Sequence, residues 1–252
     1  MIEILILSLV QGITEFLPIS SSSHLIIISE YLEFDNQKLE IDIGLHIGSF
    51  FAVIVYFKKD IYNFIKNKKF FLKILLSSTP IMLVGYLLIK LDLVDQIRNI
   101  KVIAWTTLIF GVLLYISDKF SIKNDIKKKF NFKIAIIIGL FQILSLIPGV
   151  SRSGIVITSA RFLRFKRYDA AKISFLLSIP TLAAVSFFGI NSLFKYENFE
   201  FSYLIAFSII FSFIFSIITI KYFLKYIKKF SLNIFVIYRV VLGATLLIIA
   251  YL

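Results

Sequence analysis

Two stretches of small polar residues, PISSSSH at 18–24 and PGVSRSG at 148–154, interrupt the apolar runs 4–29 and 134–160. Each half of an interrupted run has about a dozen residues, which form ~18 Å of helix at 1.5 Å per residue. The hydrocarbon core of a bilayer is ~30 Å thick, so no half is long enough to cross it. Both runs are therefore predicted to be re-entrant helix–loop–helix hairpins.

The rest of the chain is also strongly apolar. Of 252 residues, 59% are hydrophobic and 17% are charged, and the mean hydropathy of +0.91 excludes a water-soluble globular protein. Six uninterrupted apolar runs are long enough to span a membrane: 43–57, 74–89, 102–117, 173–190, 203–220 and 234–252. The chain contains no cysteine, which excludes disulfides and thiolate metal sites. We predict an all-α polytopic membrane protein with one integral membrane domain, residues 1–252.

The net charge of +13 is concentrated in four connections between the apolar runs: 58–73, 118–133, 161–172 and 221–229. The remaining connections, 30–42, 90–101 and 191–202, are poor in basic residues. If both hairpins return to the side they enter from, every basic connection is cytoplasmic and both termini are outside, as the positive-inside rule requires. The charge is thus explained by membrane orientation, and nucleic acid is not expected as a partner.

The layout of hairpins and spans repeats. Residues 1–125 and 130–252 each contain one hairpin followed by three spans, and an odd number of spans inverts the second repeat relative to the first. Gln11 and Gln142 occupy corresponding places in the two hairpins. The two polar loops are therefore predicted to meet near the bilayer midplane and to line a polar cavity.

The polar groups of this cavity are typical of a phosphate site. Glu15, His24 and Arg152 each cost a few kcal/mol inside a membrane, so a functional role is the default hypothesis. Arg152, Ser153 and Gly154 open a half-helix, where guanidinium, hydroxyl and free N–H groups favour a phosphate. A lipid-linked phosphate ester or diphosphate is the expected substrate. A purely structural ion pair between Glu15 and Arg152, locking the hairpins together, is the alternative.

The motif QGITEFLPISS at 11–21 followed by His24, together with PGVSRSG, resembles the bacterial undecaprenyl-diphosphatase family of the bacitracin-resistance type. The resemblance covers essentially the whole chain. It implies hydrolysis of undecaprenyl diphosphate to undecaprenyl phosphate and inorganic phosphate, at a site that opens to the outside of the bacterial cytoplasmic membrane. That reaction recycles the lipid carrier of peptidoglycan synthesis and confers bacitracin resistance. The family also implies a divalent cation, Mg²⁺ or Ca²⁺.

Roles carry over onto the matching positions of this sequence. The expected catalytic residues are Glu15, Ser21, His24 and Arg152. The expected substrate-binding residues are Gln11, Ser22, Ser23, Ser151, Ser153 and Gly154, and the metal would be held by Glu15 and Gln11. Two positions depart from the family pattern: Ser23 replaces a glycine, and Val156 replaces a threonine whose role is not transferred to Thr158.

Two questions stay open at this point. The first is the mechanism: either Ser21 attacks the phosphate with His24 as proton-transfer partner, or a water molecule activated by Glu15 or a metal attacks it directly. Inverted repeats with two hairpins are also a transporter architecture, so a lipid-phosphate flippase or anion carrier is the alternative function. The expected partners are a polyprenyl diphosphate lipid and the membrane, with a homodimer left open.

Four further polar residues in or near the apolar runs are interpreted as structural. His46 lies among small residues of the first span and is expected to make a structural hydrogen bond. Asp118, Asp169 and Arg239 are expected near helix ends, with their charges reaching the membrane interface.

Overall fold

Six long apolar helices dominate the computed structural model, which describes residues 1–32, 39–91, 93, 98–193 and 203–252. They are α3 (Leu39–Tyr56), α5 (Lys68–Lys90), α6 (Ile100–Asp118), α10 (Arg167–Leu193), α11 (Tyr203–Tyr226) and α12 (Asn233–Tyr251). All six are long and apolar enough to cross a membrane, and each contains one of the six predicted runs nearly in full. The chain is therefore a multi-pass helical membrane protein, as predicted.

Four short helices form the two interrupted segments. They are α1 (Ile2–Thr14), α2 (Ser21–Leu32), α8 (Phe132–Ile143) and α9 (Arg152–Phe162), with a 3₁₀ turn at Leu144–Leu146. None exceeds 13 residues, so each is too short to cross the ~30 Å core alone. The breaks coincide with the two polar motifs.

Residues with left-handed backbone geometry lie in both motifs, just before α2 and α9 begin. Ser20 and Ser151 have φ angles of 77° and 70°, and Gly149 has a φ of 92°, all in the left-handed region. One such residue ends the regular hydrogen-bond ladder of an α-helix. The chain therefore changes direction sharply in each loop, between the first helix of the segment and the second.

Two small helices, α4 (Lys58–Lys66) and α7 (Ile126–Lys129), lie between the longer ones. The main packing pairs are α3 with α11 and α10, α6 with α12 and α9, α9 with α10, α1 with α11, and α5 with α8. Gly48 allows α3 and α11 to lie close together, since a Cβ there would clash with the Ile209 carbonyl oxygen. The first helix of each interrupted segment thus packs on a long helix from the other half of the chain.

Contacts bring the four basic segments together at one end of the bundle, which is called the lysine-rich end below. Three of these contacts are Lys172 to Asp60 at 2.6 Å, Lys166 to Asp125 at 3.3 Å, and Lys228 over the Tyr168 ring at 4.8 Å. The loop charges predicted that these segments share a side, and the contacts confirm it.

The interpretation of Asp118 and Asp169 as interfacial groups is wrong. Asp118 is buried and accepts two hydrogen bonds from Arg167, at 2.7 and 3.0 Å. Arg161, 3.4 Å from the same carboxylate, is also fully buried. Asp169 is 6% exposed and accepts from the Ile126 N–H. Both carboxylates have partners inside the protein, so neither side chain extends to solvent.

Asp118→Asn is expected to lower the free energy of unfolding by about 3–5 kcal/mol, because it leaves buried arginine charge without its partner. Thermal unfolding of the detergent-solubilised protein measures this. The matched control is Asp125→Asn, which weakens an exposed ion pair worth about 1 kcal/mol or less and keeps a residue suited to cap α7. Equal unfolding temperatures for the two variants would contradict the assignment.

Candidate active site

The two polar loops touch each other. The Ser153 hydroxyl, in the second loop, donates to the Leu17 carbonyl of the first at 2.6 Å. Arg152 Nη2 donates to Glu15 Oε1 at 2.7 Å. The predicted meeting of the loops is therefore confirmed.

Glu15 is the centre of the contact between the loops. While Oε1 binds Arg152, Oε2 accepts from the Ser21 hydroxyl at 2.8 Å and from Gln11 Nε2 at 3.2 Å. Gln11 lies one helical turn before Glu15, which follows the last residue of α1 and keeps helical backbone angles, so the two side chains lie on the same side. A carboxylate with three donors is held in one orientation, and Ser21 has its proton directed at that carboxylate.

Arg152 keeps unused donors. Its Nη1 donates to the Ser174 carbonyl at 3.1 Å, and Nη2 binds Glu15. Within the described ranges these are its hydrogen bonds, and guanidinium has five N–H groups. The side chain is 12% exposed. It can therefore bind an anion without leaving Glu15.

Ser151 caps the half-helix that Arg152 opens. Its hydroxyl accepts from the Gly154 N–H at 3.1 Å, and lies 3.1 Å from the Ser153 hydroxyl. Because the proton of Ser153 goes to Leu17, Ser151 donates to Ser153. Other N–H groups of the first turn have no partner within the helix, and the positive end of the α9 dipole lies there.

A cavity of about 200 Å³ lies between the loops. At ~30 Å³ per water molecule, it has room for roughly six waters or an anion of that size. Its wall includes Glu15, Ser21, Ser22, Ser151 and Arg152 from the two loops. The remaining lining residues are Thr14, Ser20, His46, Ile81, Ser145, Leu146, Thr181, Leu182 and Val185. The Glu15–Arg152 ion pair therefore faces a polar cavity, which a lock between hairpins does not require.

His24 lies away from the Ser21 hydroxyl. Its Nδ1 donates to the Ser20 carbonyl at 2.6 Å, and Nε2 accepts from the Tyr238 hydroxyl at 2.5 Å. In the described part of the chain no hydrogen bond joins His24 to Ser21. The structure brings Gln11, Glu15, Ser21 and Arg152 together but holds His24 against α12.

The other predicted site residues lie around this cluster. Ser20, whose φ is positive, hydrogen-bonds to the hydroxyls of Ser22 at 3.3 Å and Ser23 at 3.0 Å. Ser23 is fully buried and so shapes the loop, whereas Ser22 is exposed and lines the cavity. Val156 is a buried residue of the apolar core.

The metal-binding hypothesis rests on few protein oxygens. No group of three or more His, Asp or Glu side chains lies together in the residues that the structure describes. Gln11 Oε1, however, is buried and has no hydrogen-bond partner there. A Mg²⁺ site commonly uses one or two carboxylates together with substrate phosphates. Gln11 and Glu15 therefore fit such a cation in donor chemistry, provided a phosphate supplies further oxygens.

Sequence reasoning missed two contributors. Arg239 was expected near the interface, but it is fully buried and binds both polar loops, so that interpretation is wrong. His46 does make a structural hydrogen bond, with its Nδ1 donating to the Asp42 carbonyl at 2.8 Å, but it also lines the cavity. An arginine inside the last apolar run was the available signal for Arg239.

Comparison with known families decides where the chain belongs. The sequence model described as "Bacitracin resistance protein BacA" matches residues 4–245, which include both loops and every residue of the cluster. The chain belongs to the BacA family. The resemblance inferred from the two motifs is thereby confirmed.

Relatives of this BacA-family chain align along nearly its full length. An undecaprenyl-diphosphatase of Pelagibacter ubique (strain HTCC1062) is 50% identical over 99% of this chain and 98% of its own length. Proteins with the same name from Hahella chejuensis and Jannaschia sp. are 41% and 36% identical, over 99% and 98% of this chain. These alignments cover 98% of the Hahella chejuensis protein and 97% of the Jannaschia sp. protein.

Proposed function

We propose that this protein hydrolyses undecaprenyl diphosphate to undecaprenyl phosphate and inorganic phosphate. The observation that carries the proposal is the cluster of Glu15, Ser21 and Arg152 at a polar cavity between two broken helices. It joins an anion-binding group to a hydroxyl whose proton already has an acceptor. The names of the full-length relatives support the same substrate.

In the proposed binding mode, Arg152 and the first-turn N–H groups of α9 hold the terminal phosphate. Arg152 supplies the N–H donors left over from Glu15 and Ser174. Ser22 and Ser151 add hydroxyl groups around the same space, and the buried Ser153 hydroxyl accepts a hydrogen bond from Ser151. These donors also stabilise the charge that develops on the phosphate oxygens during transfer.

In the proposed chemical step, the Ser21 oxygen attacks the terminal phosphorus. Its proton moves to Glu15, whose Oε2 it already contacts at 2.8 Å. The bond between the terminal phosphorus and the bridging oxygen breaks, and undecaprenyl phosphate leaves. Water then hydrolyses the phosphoserine and releases inorganic phosphate. The geometry favours Glu15 over His24 as the proton acceptor, which leaves His24 to position Ser20 through its Nδ1.

A divalent cation, Mg²⁺ or Ca²⁺, fits this site with Glu15 and the free Gln11 oxygen as protein ligands. When bound, it would neutralise charge on the diphosphate. EDTA is therefore expected to lower phosphate release at least about 100-fold, since such neutralisation is worth several kcal/mol. Adding back Mg²⁺ or Ca²⁺ should restore the rate. Full activity in EDTA, measured on protein that was stripped beforehand, would remove the cation from the proposal.

The proposed topology has two inverted repeats, each a re-entrant hairpin followed by three spans. The packing supports it: α1 lies on α11 and α8 lies on α5, which is the same contact with the repeats exchanged. Two further close pairs, α3 with α10 and α6 with α12, join corresponding spans. Such pairs are expected beside a pseudo-two-fold axis.

The proposed location is the bacterial cytoplasmic membrane, with the lysine-rich end of the bundle in the cytoplasm. Both termini and the opening of the cavity then face outside. Hydrolysis there would recycle the lipid carrier of peptidoglycan synthesis and confer bacitracin resistance. A homodimer stays a hypothesis, which the mass of the detergent-solubilised protein tests.

Phosphate release in detergent micelles separates the enzyme from a transporter. Micelles hold no compartments, so a flippase or anion carrier releases nothing, whereas a phosphatase releases phosphate from a polyprenyl diphosphate. A Glu15→Gln variant distinguishes this protein's activity from that of a contaminant. No release by the wild-type protein, with divalent cation present, would overturn the proposed function.

A further inference from the structure

Arg239 of α12 joins both polar loops. Its Nη1 donates to the Pro18 carbonyl of the first loop at 3.2 Å and to the Val150 carbonyl of the second at 3.1 Å. Its Nη2 donates to the Gly149 carbonyl at 2.8 Å, and Nε to the Thr107 carbonyl of α6 at 3.2 Å. One side chain thus binds four backbone oxygens in three separate segments.

The surrounding helices leave space for this side chain. A Cβ at Gly154 would lie 2.9 Å from Arg239 Nη1, and a Cβ at Gly111 would lie 3.0 Å from Arg239 Cβ. The guanidinium therefore lies directly against the first turn of α9. That turn follows Ser151 and carries Arg152, so Arg239 lies behind the proposed phosphate site.

The charge of Arg239 has no counter-ion in the part of the chain that the structure describes. Arg239 is 0% exposed, and no carboxylate there lies within 4.0 Å of it. Glu15 is already paired with Arg152. A buried, unpaired charge is costly, so two arginines against one carboxylate leave the loops positive. A bound diphosphate would supply the missing negative charge.

Arg239 also sets the direction of a backbone donor. The peptide bonds are trans, and in a trans peptide the C=O and the following N–H point in opposite directions. The Val150 carbonyl points at Arg239, so the Ser151 N–H points away from it. Ser151 lines the cavity with a φ of 70°, a conformation that needs such support in a residue with a side chain.

We propose that Arg239 is a positioning residue for the diphosphate site. It holds the two loops in fixed positions relative to each other, directs the Ser151 N–H away from itself, and adds positive charge behind the bound diphosphate. The proposal rests on the proposed function for the identity of the substrate. The anion-binding part can be tested without catalysis.

The matched control is Arg161, the other fully buried arginine. It too donates to backbone carbonyls, those of Asp118, Phe120 and Phe165, but at the lysine-rich end of the bundle. Removing hydrogen bonds from either arginine destabilises the fold. Only Arg239 is expected to affect anion binding.

The experiment measures the Kd of inorganic diphosphate by calorimetry, and the KM for a polyprenyl diphosphate, on detergent-solubilised full-length protein. Arg239→Lys is expected to raise the Kd and the KM about tenfold to hundredfold. This range corresponds to the free energy of one or two charge-assisted hydrogen bonds, which lysine cannot replace. Arg239→Gln, which also removes the charge, is expected to raise the Kd further. Arg161→Lys should lower the unfolding temperature and leave both constants unchanged.

The proposal is overturned if Arg239→Lys lowers the unfolding temperature as Arg161→Lys does while Kd and KM stay at the wild-type values. If the Arg239 variants do not fold, Gly111→Ala is the second variant: its Cβ, 3.0 Å from Arg239 Cβ, shifts the arginine by a few tenths of an ångström and keeps its charge. An unchanged Kd there overturns the proposal. Wild-type protein that binds inorganic diphosphate but releases no phosphate would sink only the proposed function. Wild-type protein that binds no diphosphate would sink both.

Discussion

Arg152→Lys is expected to lower kcat/KM for polyprenyl diphosphate hydrolysis by about 10²–10³-fold, the range found when one donor to a developing oxyanion is removed. Lysine keeps the positive charge beside Glu15, so the electrostatic part of the pair survives. It loses the planar fork that reaches Glu15, the Ser174 carbonyl and a phosphate together. Phosphate release under steady-state conditions in detergent measures the effect.

Arg152→Ala is expected to lose more activity than Arg152→Lys, because it also leaves the buried Glu15 carboxylate without a cation. The control is Arg161→Lys, a buried arginine remote from the cavity. Unfolding temperatures of all three variants separate lost chemistry from lost folding. An Arg152→Lys protein that folds and retains activity within tenfold of wild type would mean that Arg152 only locks the hairpins.

Ser21→Ala is expected to abolish turnover if Ser21 is the nucleophile, with a loss of about 10⁴-fold or more. If water attacks directly, Ser21 only orients Glu15. One hydrogen bond is worth about 1 kcal/mol, so the loss would then be only about tenfold. The geometry favours the larger effect, since the Ser21 hydroxyl already donates to Glu15 at 2.8 Å.

Acid quenching of turnover with labelled substrate, followed by mass spectrometry of the peptide that contains Ser21, tests for the phosphoserine. The control is Ser192→Ala, which removes an exposed hydroxyl that donates within α10 and should leave turnover unchanged. A Ser21→Ala protein that loses only about tenfold, with no phosphoserine in the wild type, would favour the activated-water mechanism.

Much of the architecture could be predicted because a membrane constrains a sequence strongly. Each spanning helix must satisfy its own backbone hydrogen bonds and expose apolar side chains to lipid, so hydropathy alone locates it. The six long helices and the two interrupted segments follow from this. The cost of burying charge likewise made Glu15, His24 and Arg152 stand out among apolar neighbours.

Contacts between distant segments could not be predicted in the same way. Arg239 and Asp118 were assigned to the interface because a single sequence does not show whether a charge near a helix end meets solvent or a partner. Arg239 binds carbonyls that are 89 to 221 residues away in the chain. His24 was grouped with Ser21 by motif, but helix geometry turns its ring towards Tyr238.

The sequence by itself determined that this chain spans a membrane, where its helices break, and which polar residues lie at the breaks. Those properties depend on local hydrophobicity and backbone preference, which are set by residues close together in the sequence. Only the tertiary structure decided which groups meet: Glu15 with Arg152 and Ser21, and Arg239 with both loops. Each of these contacts depends on how separate helices pack and on which buried charge finds a partner, and helix packing is set by the whole bundle.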